Sequence, residues 1–360
     1  MSAEQLAELS DLFVVAAVLL YVVAMVGFAM ELAFGRLRSG KAEVAAAGAV
    51  KIKQPVAVGA VSGEAAPDSA SAAVSEPGEA SDAVTVPDGP SDGEKAPAGT
   101  TAAGGSGSGV GVNAGASGSG VGVKAGTVAL VLAWLGWAAN GAAIVTRGLA
   151  VERWPWGNMY EFVVAICFAA VSAFIFTQIR HNVRFLGGFV MVTAALGLGL
   201  AVKVFYTAAG PVVPALDSYW IAIHVSAAII SSGLLTLAGV AGVLYLVRGD
   251  GMSRLPSRAD LEKVAHRAIV FAFPLWTFAV IAGALWADRA WGRYWGWDPK
   301  EVWSFITWVA YAAYLHAKAT AGWKGRASTI VQLVAFGCLL FNLIGVNIFI
   351  DGLHSYADVP

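Results

Sequence analysis

Eight stretches of the chain stay apolar for about as long as a lipid bilayer is thick, and this rhythm leaves few folds open. They run near 11–35, 126–148, 159–178, 185–205, 218–247, 267–287, 301–320 and 328–350. A hydrocarbon core of about 30 Å takes about 20 helical residues at 1.5 Å each. Inside it every backbone N–H and C=O must be satisfied within the protein, which admits helices and closed barrels only. Continuous apolar runs of this length, without the two-residue alternation of a barrel strand, select helices. The expected fold is therefore all-α, a polytopic helical membrane protein with about eight transmembrane helices. Composition agrees: 58% of residues are hydrophobic and 13% charged, with a mean hydropathy of +0.68. A net charge of −1 leaves no basic face for phosphate contacts, so nucleic acid is excluded as a partner.

The runs divide the sequence into three parts. Residues 1–35 make an N-terminal transmembrane helix. It follows Glu4, Glu8 and Asp11 with no basic leader and no cleavage signature, so it reads as a retained helix and not a signal peptide. Residues 36–125 are rich in Ala, Gly and Ser, with near-repeats such as Gly118-Ser119-Gly120-Val121-Gly122-Val123. Such material buries too little apolar surface to offset its ordering entropy, and it reads as a disordered cytoplasmic linker. Residues 126–360 hold the other seven helices. Most of the 23 basic residues fall in loops on one side of this arrangement. By the positive-inside rule that side is cytoplasmic, which makes both termini extracytoplasmic.

One loop on the outer side carries most of the chemical signal. Between the sixth and seventh runs lies Trp291-Gly292-Arg293-Tyr294-Trp295-Gly296-Trp297-Asp298-Pro299-Lys300-Glu301, with Trp286 before it and Trp303 after. An interfacial aromatic belt accounts for some of these rings but not for their density. A rigid aromatic shelf with Gly292 and Gly296 opening its backbone to close approach suits a large flat ligand. Asp298 reads equally well as an acceptor for a ring N–H and as a helix cap ahead of Pro299. Arg293 and Lys300 suit either the carboxylates of a ligand or a snorkelling role at the interface. Near the same outer depth lie His224, at the start of the fifth run, and His354, just past the eighth. Each alone is an ordinary helix-end histidine. Together, flanking the aromatic loop, they suit the two axial positions of a haem iron. His316 sits near the inner end of the seventh run, where a histidine either serves a function or hydrogen-bonds another helix. His181 and His266 read as solvated inner-loop residues. Cys167 and Cys338 form no CxxC and offer neither a zinc site nor a thiol-redox motif.

The loop Trp291-Gly292…Trp295-Gly296-Trp297-Asp298 resembles the WWD signature of haem-handling proteins in cytochrome c biogenesis. The order of His224, the loop, His316 and His354 is similar to the CcsA/ResC branch, also named CcsB, of the system II pathway. Trp154-Pro155-Trp156-Gly157-Asn158-Met159-Tyr160-Glu161-Phe162 resembles an outward loop of the same family, with Glu161 as a site-shaping residue. The resemblance implies a multi-pass protein of the bacterial plasma membrane with the WWD loop on the extracytoplasmic side. It implies haem b as bound substrate, with His316 as this chain's iron ligand at an inner site whose second ligand a ResB-type partner supplies. His224 and His354 would be the axial ligands at the outer site, against Trp291, Trp295 and Trp297. Haem would there be presented to the CxxCH thiols of apocytochrome c, with a thioredoxin-like thiol reductant as a further partner. The implied activity is that of a component of a cytochrome c haem lyase. A haem transporter without a role in ligation is the alternative. A haem-b electron-transfer subunit fits less well, since it calls for histidine pairs stacked within the bundle and only His316 lies at membrane depth.

Overall fold

A computed structural model describes residues 1–34, 120–216, 218–248 and 255–354. The linker reading falls almost wholly on residues outside these. Its last six residues are an exception: 120–125 are already helical. Among the described residues eight long helices follow one another: α1 (Ala3–Phe34), α2 (Gly120–Val151), α3 (Met159–Arg180), α4 (Gly187–Val204), α5 (Tyr219–Val247), α6 (Arg258–Trp291), α7 (Pro299–Thr320) and α8 (Gly325–Leu340). α8 runs on through a π-helical turn, Phe341–Gly345, into a last turn Val346–Phe349. No strand occurs among the described residues.

Seven of these helices are long and apolar enough to cross a membrane. α7 matches them in length at 22 residues but carries more polar and aromatic side chains. The protein is therefore a polytopic helical membrane protein, as the apolar runs predict. The helices overshoot the runs. α6 spans 34 residues where 267–287 was expected, because a helix does not stop where its residues become charged. It stops at caps. At its start Ser257 accepts a hydrogen bond from the Asp260 N–H at 3.1 Å. At its end Gly292, at φ +69°, takes the left-handed conformation that closes a helix, its N–H donating to the Asp288 carbonyl.

α1 shows how such helices pack. Its buried residues are Ser10, Val14, Ala17, Tyr21, Ala24 and Phe28, recurring every three or four positions. Leu12, Val15, Leu19 and Val23 on the other faces stay exposed to the surroundings. Lipid tails are as apolar as leucine, so close packing rather than hydrophobic burial holds the helices together. α5 is the central helix: 78% of its most apolar window is buried, against 28% for α1. Its small residues permit this. A Cβ at Gly239 would lie 2.5 Å from the Phe336 ring of α8. Polar side chains add directed contacts, as where the Gln332 amide of α8 donates to the Ala238 carbonyl at 2.6 Å.

The alternating helices bring the start of α1, the ends of α2 and α4, the start of α3 and the Trp291–Asp298 loop to one end of the bundle. A buried ion network ties that end together. Glu161, 3% exposed, accepts from Arg147 Nε at 3.1 Å, from Arg153 Nη1 at 2.9 Å and from the Gly157 N–H at 2.8 Å. Asp11 of α1 accepts from the Tyr160 and Tyr206 hydroxyls at 3.1 and 2.7 Å.

Candidate functional site

At this end of the bundle a cavity opens between α3, α5, α6, α7 and α8. It encloses about 140 Å³, and its mouth is open. That is less than a large flat ligand fills, so such a ligand enters only as the lining rings move aside. Five indoles line it: Trp156, Trp276, Trp286, Trp291 and Trp295. His224 and His354 line it too, one from α5 and the other from beyond the last turn of α8. Chain segments 130 residues apart thus meet at one site, as their shared depth in the sequence predicted.

Each imidazole is oriented by its neighbours. The His224 Nδ1 lies 2.7 Å from the Ala279 carbonyl oxygen of α6. A carbonyl only accepts, so the proton sits on Nδ1 and the lone pair on Nε2. Gly283, one turn further on, keeps space for this ring, since a Cβ there would stand 2.7 Å from His224 Cε1. The His354 Nδ1 lies 2.8 Å from Asp298 Oδ2. Trp286 stands against both rings. Its indole is nearly parallel to His224 at 6.1 Å between centroids and tilted to His354 at 5.7 Å. The two imidazoles are therefore held within about 12 Å of each other, the sum of those separations.

Asp298 fulfils both of its sequence readings. It caps α7, accepting from the Lys300 N–H at 3.1 Å, while Glu301 returns the bond to the Asp298 N–H at 3.1 Å. The same carboxylate takes the His354 ring and the Leu353 N–H. Burial pushes its acidity down, but these donors outweigh burial and hold the carboxyl below the usual aspartate value. Beside it lies Lys300. Its Nζ is buried and has no hydrogen-bond partner, and the residue lines the cavity. Burial pulls this amine down from 10.5 to about 7, with Asp298 opposing the shift.

The remaining residues singled out in the sequence lie off the cavity. Gly292 shapes the loop as the cap of α6, with open space where a Cβ would be. Gly296 lies under the Arg293 guanidinium, which a Cβ would meet at 2.3 Å. Arg293 is exposed and packs on its own loop, because the turn at Gly292 directs it outward. Trp297 is 69% exposed and stands at φ +59°, a left-handed conformation that costs a bulky residue about 1–3 kcal/mol. It meets Trp295 edge-on at 5.8 Å between centroids. Glu161 is spent on Arg147 and Arg153 and shapes the site from behind, by fixing the loop that carries Trp156, Gly157 and Asn158 to the cavity wall. His316 is exposed on α7, away from the cavity. His266, expected in a solvated loop, lies within α6 with its Nδ1 3.3 Å from the Tyr314 hydroxyl.

Sequence reasoning passed over Trp156, Trp276 and Trp286 as cavity walls. Trp156 lies inside the 154–162 stretch and Trp286 just before the tryptophan loop, both named without a place at the site, whereas Trp276 carries no local signal in the middle of an apolar run. Asn342 was also passed over. It is 2% exposed, belongs to the π-helical turn of α8 and donates to Ser304 Oγ at 3.1 Å on the inner cavity wall.

Known proteins share this stretch. The sequence profile of a family described as Cytochrome C assembly protein matches residues 156–354. Those bounds fall on Trp156 and His354, two lining residues at opposite ends of the cavity-forming sequence. Proteins named Cytochrome c biogenesis protein CcsA are similar over longer stretches. The one from Gloeobacter violaceus is 31% identical over 291 residues, covering 62% of this chain and 86% of that protein. The one from Guillardia theta is 32% identical over 238 residues, covering 59% and 79%. The one from Chlamydomonas reinhardtii is 40% identical over 153 residues, covering 41% and 43%. With over half its length matched and its cavity built from that half, the chain belongs to the Cytochrome C assembly protein family and is of the CcsA type.

Proposed function

We propose that, within cytochrome c biogenesis, this chain carries haem b to the outer face of the membrane and presents it for attachment to apocytochrome c. It works as part of a haem lyase with a ResB-type partner. The observation that carries this reading is the convergence of His224 and His354 on one cavity walled by five indoles, with the Lys300 amine buried in it and unpartnered. Imidazole nitrogens suit haem iron, indoles suit the porphyrin face, and a buried amine suits a haem carboxylate, whose charge would favour the protonated form. Gripping one iron from both faces requires the Trp286 indole, now against both rings, to yield its place to the porphyrin. In the attachment itself each cysteine thiol of a CxxCH segment adds across a haem vinyl group. A C–S bond forms, the vinyl double bond is consumed, and the thiol hydrogen ends on carbon. The chain contributes no atom to the product. It holds the ring, shields the iron and leaves the vinyl edges to the thiols.

His316, exposed near the inner end of α7, is this chain's half of an inner site. Its position on an outer face of the bundle suits a second ligand supplied by the partner helix. A thioredoxin-like reductant keeps the CxxCH thiols reduced before they are used. The WWD loop faces the extracytoplasmic side of a bacterial plasma membrane, by the charge bias of the loops.

The test is co-expression with the ResB-type partner and a reporter apocytochrome. His224→Ala and His354→Ala are expected to lose the outer haem and reporter maturation, with partial return on added imidazole. Unchanged haem content and maturation in both variants would overturn the assignment. Trp297→Ala distinguishes presentation from transport alone. This ring lies off the cavity, so its loss should leave haem bound and attachment impaired, whereas a transporter that merely releases haem would not notice the change.

A further inference from the structure

The two histidines of the cavity are not equivalent. His224 leans on a peptide carbonyl, that of Ala279, at 2.7 Å. His354 leans on a carboxylate, that of Asp298, at 2.8 Å. We propose that Asp298 is a positioning residue for His354 that makes it the stronger of the two iron ligands and holds the potential of the bound haem down.

This inference rests on the reading of both histidines as axial ligands. A carboxylate draws on the Nδ1 proton more strongly than a neutral carbonyl does, and electron density moves to Nε2. A more basic nitrogen favours the more highly charged iron, so the carboxylate stabilises the ferric over the ferrous state. Hydrogen bonding behind an axial ligand is one of the few levers a protein has on haem potential.

The geometry makes the pairing rigid. Oδ1 of Asp298 takes the Leu353 N–H at 2.6 Å while Oδ2 takes the neighbouring imidazole. A Cβ at Gly352 would stand 2.7 Å from Oδ1, so the segment before His354 packs directly on the carboxylate. Oδ2 also caps α7 through the Lys300 N–H, and Glu301 ties the Gly296 and Asp298 N–H groups together at 2.8 and 3.1 Å. The end of the tryptophan loop, the start of α7 and the ring of His354 are thereby fixed to one another through a single side chain. His224 has no such anchor.

A purely structural role for Asp298, that of helix cap, is separable by chemistry. Asparagine caps helices as well as aspartate and presents an acceptor oxygen of the same shape. With its amide oxygen in the place of Oδ2, Asp298→Asn keeps the Lys300 cap and the His354 bond, and it removes the charge together with the bond to the Leu353 N–H. The experiment is a redox titration of the haem in the complex co-purified with its ResB-type partner, comparing wild type and Asp298→Asn. The same samples are examined by ¹⁵N-histidine NMR without haem. The expected result is a higher midpoint potential in the variant, with the wild-type His354 ring carrying its proton on Nδ1. An unmoved potential in a variant that retains haem overturns the proposal and leaves Asp298 a cap. Should Asp298→Asn fail to retain haem, the NMR spectrum decides. An upfield move of the His354 Nδ1–H proton resonance, reporting a weaker hydrogen bond than the carboxylate made, supports the proposal, and an unmoved resonance overturns it. His354→Ala in parallel tells the two levels apart. If that variant keeps its haem spectrum, the axial-ligand reading itself has failed. If it loses the spectrum while Asp298→Asn leaves the potential unmoved, only the positioning role has failed.

Discussion

At the scale of single residues, Lys300 and Gly283 make the most exposed claims. The Lys300 amine loses its proton near pH 7 in the folded protein and near 10.5 in the unfolded chain. Between those values the unfolded chain binds a proton that the fold has released, so stability should rise as pH rises through that window. Thermal midpoints of the haem-free protein in detergent should climb from about pH 7 towards 10.5, and Lys300→Met should flatten that slope. Gly283→Ala places a methyl group against His224. Overpacking of this kind costs about 1–3 kcal/mol, which, borne by the haem-bound state, corresponds to roughly five- to 150-fold in haem affinity. A haem titration of the purified complex reads it directly. The residues that proved legible in the sequence were those whose chemistry is rare in lipid: two histidines at one depth and a dense run of indoles. Trp276, Gly283 and Asn342 were not legible, because their roles exist only once α5, α6 and α8 are packed. Trp297 was read as a ring against the ligand, yet it stands exposed off the cavity, since a motif names a residue without giving its φ.

At the scale of helices, the apolar runs marked every long helix and missed only the ends. Bilayer thickness sets the length of an apolar run, while caps set the length of a helix, and the two differ by several residues at α6. The sequence Asp298-Pro299-Lys300-Glu301 did announce its helix, because an acceptor, a proline in the first turn and a returning glutamate form a local signal. The face of α7 was beyond reach of such signals. Phe305 and Val309, each 45% exposed, and His316 lie on exposed sides of this helix. His316→Ala should therefore move the stability of the isolated chain by no more than about 0.5 kcal/mol, as is usual for surface changes. It should nonetheless lower the haem content of the complex with the ResB-type partner. A drop in thermal midpoint with haem unchanged would assign the residue to packing instead.

For the molecule as a whole, the order of helices gives the site its coherence. Alternation puts the loop before α3, the start of α5, the turn between α6 and α7 and the tail beyond α8 at one end, so a cavity can draw on all four. The buried network at Glu161 stabilises that end. Removing one partner of a buried ion pair costs about 3–5 kcal/mol, because the other charge is left stranded. Glu161→Gln leaves Arg147, itself 2% exposed, with the more distant Asp11 at 4.0 Å and the Thr207 carbonyl, and loosens the loop that carries Trp156. The expected outcome is a lower thermal midpoint together with weaker haem retention, although Glu161 touches no part of the cavity. The fold class was legible from hydropathy alone. This network was not, since its members are scattered from Asp11 to Tyr206 and only the closed bundle brings them together.

The π-helical turn at Phe341–Gly345 carries a consequence for the tail that follows it. A ring closed five residues back holds one residue more than a regular turn does, and each residue of a helix advances the chain by about 100°. The extra residue is absorbed there, so excising one of these five would let the turn close regularly and leave the heading of the tail nearly as it is. Excising a residue from the regular helix on either side would instead swivel everything downstream through more than a quarter of a revolution. His354 would then be aimed at the lipid instead of the indoles, with every atom of its side chain intact.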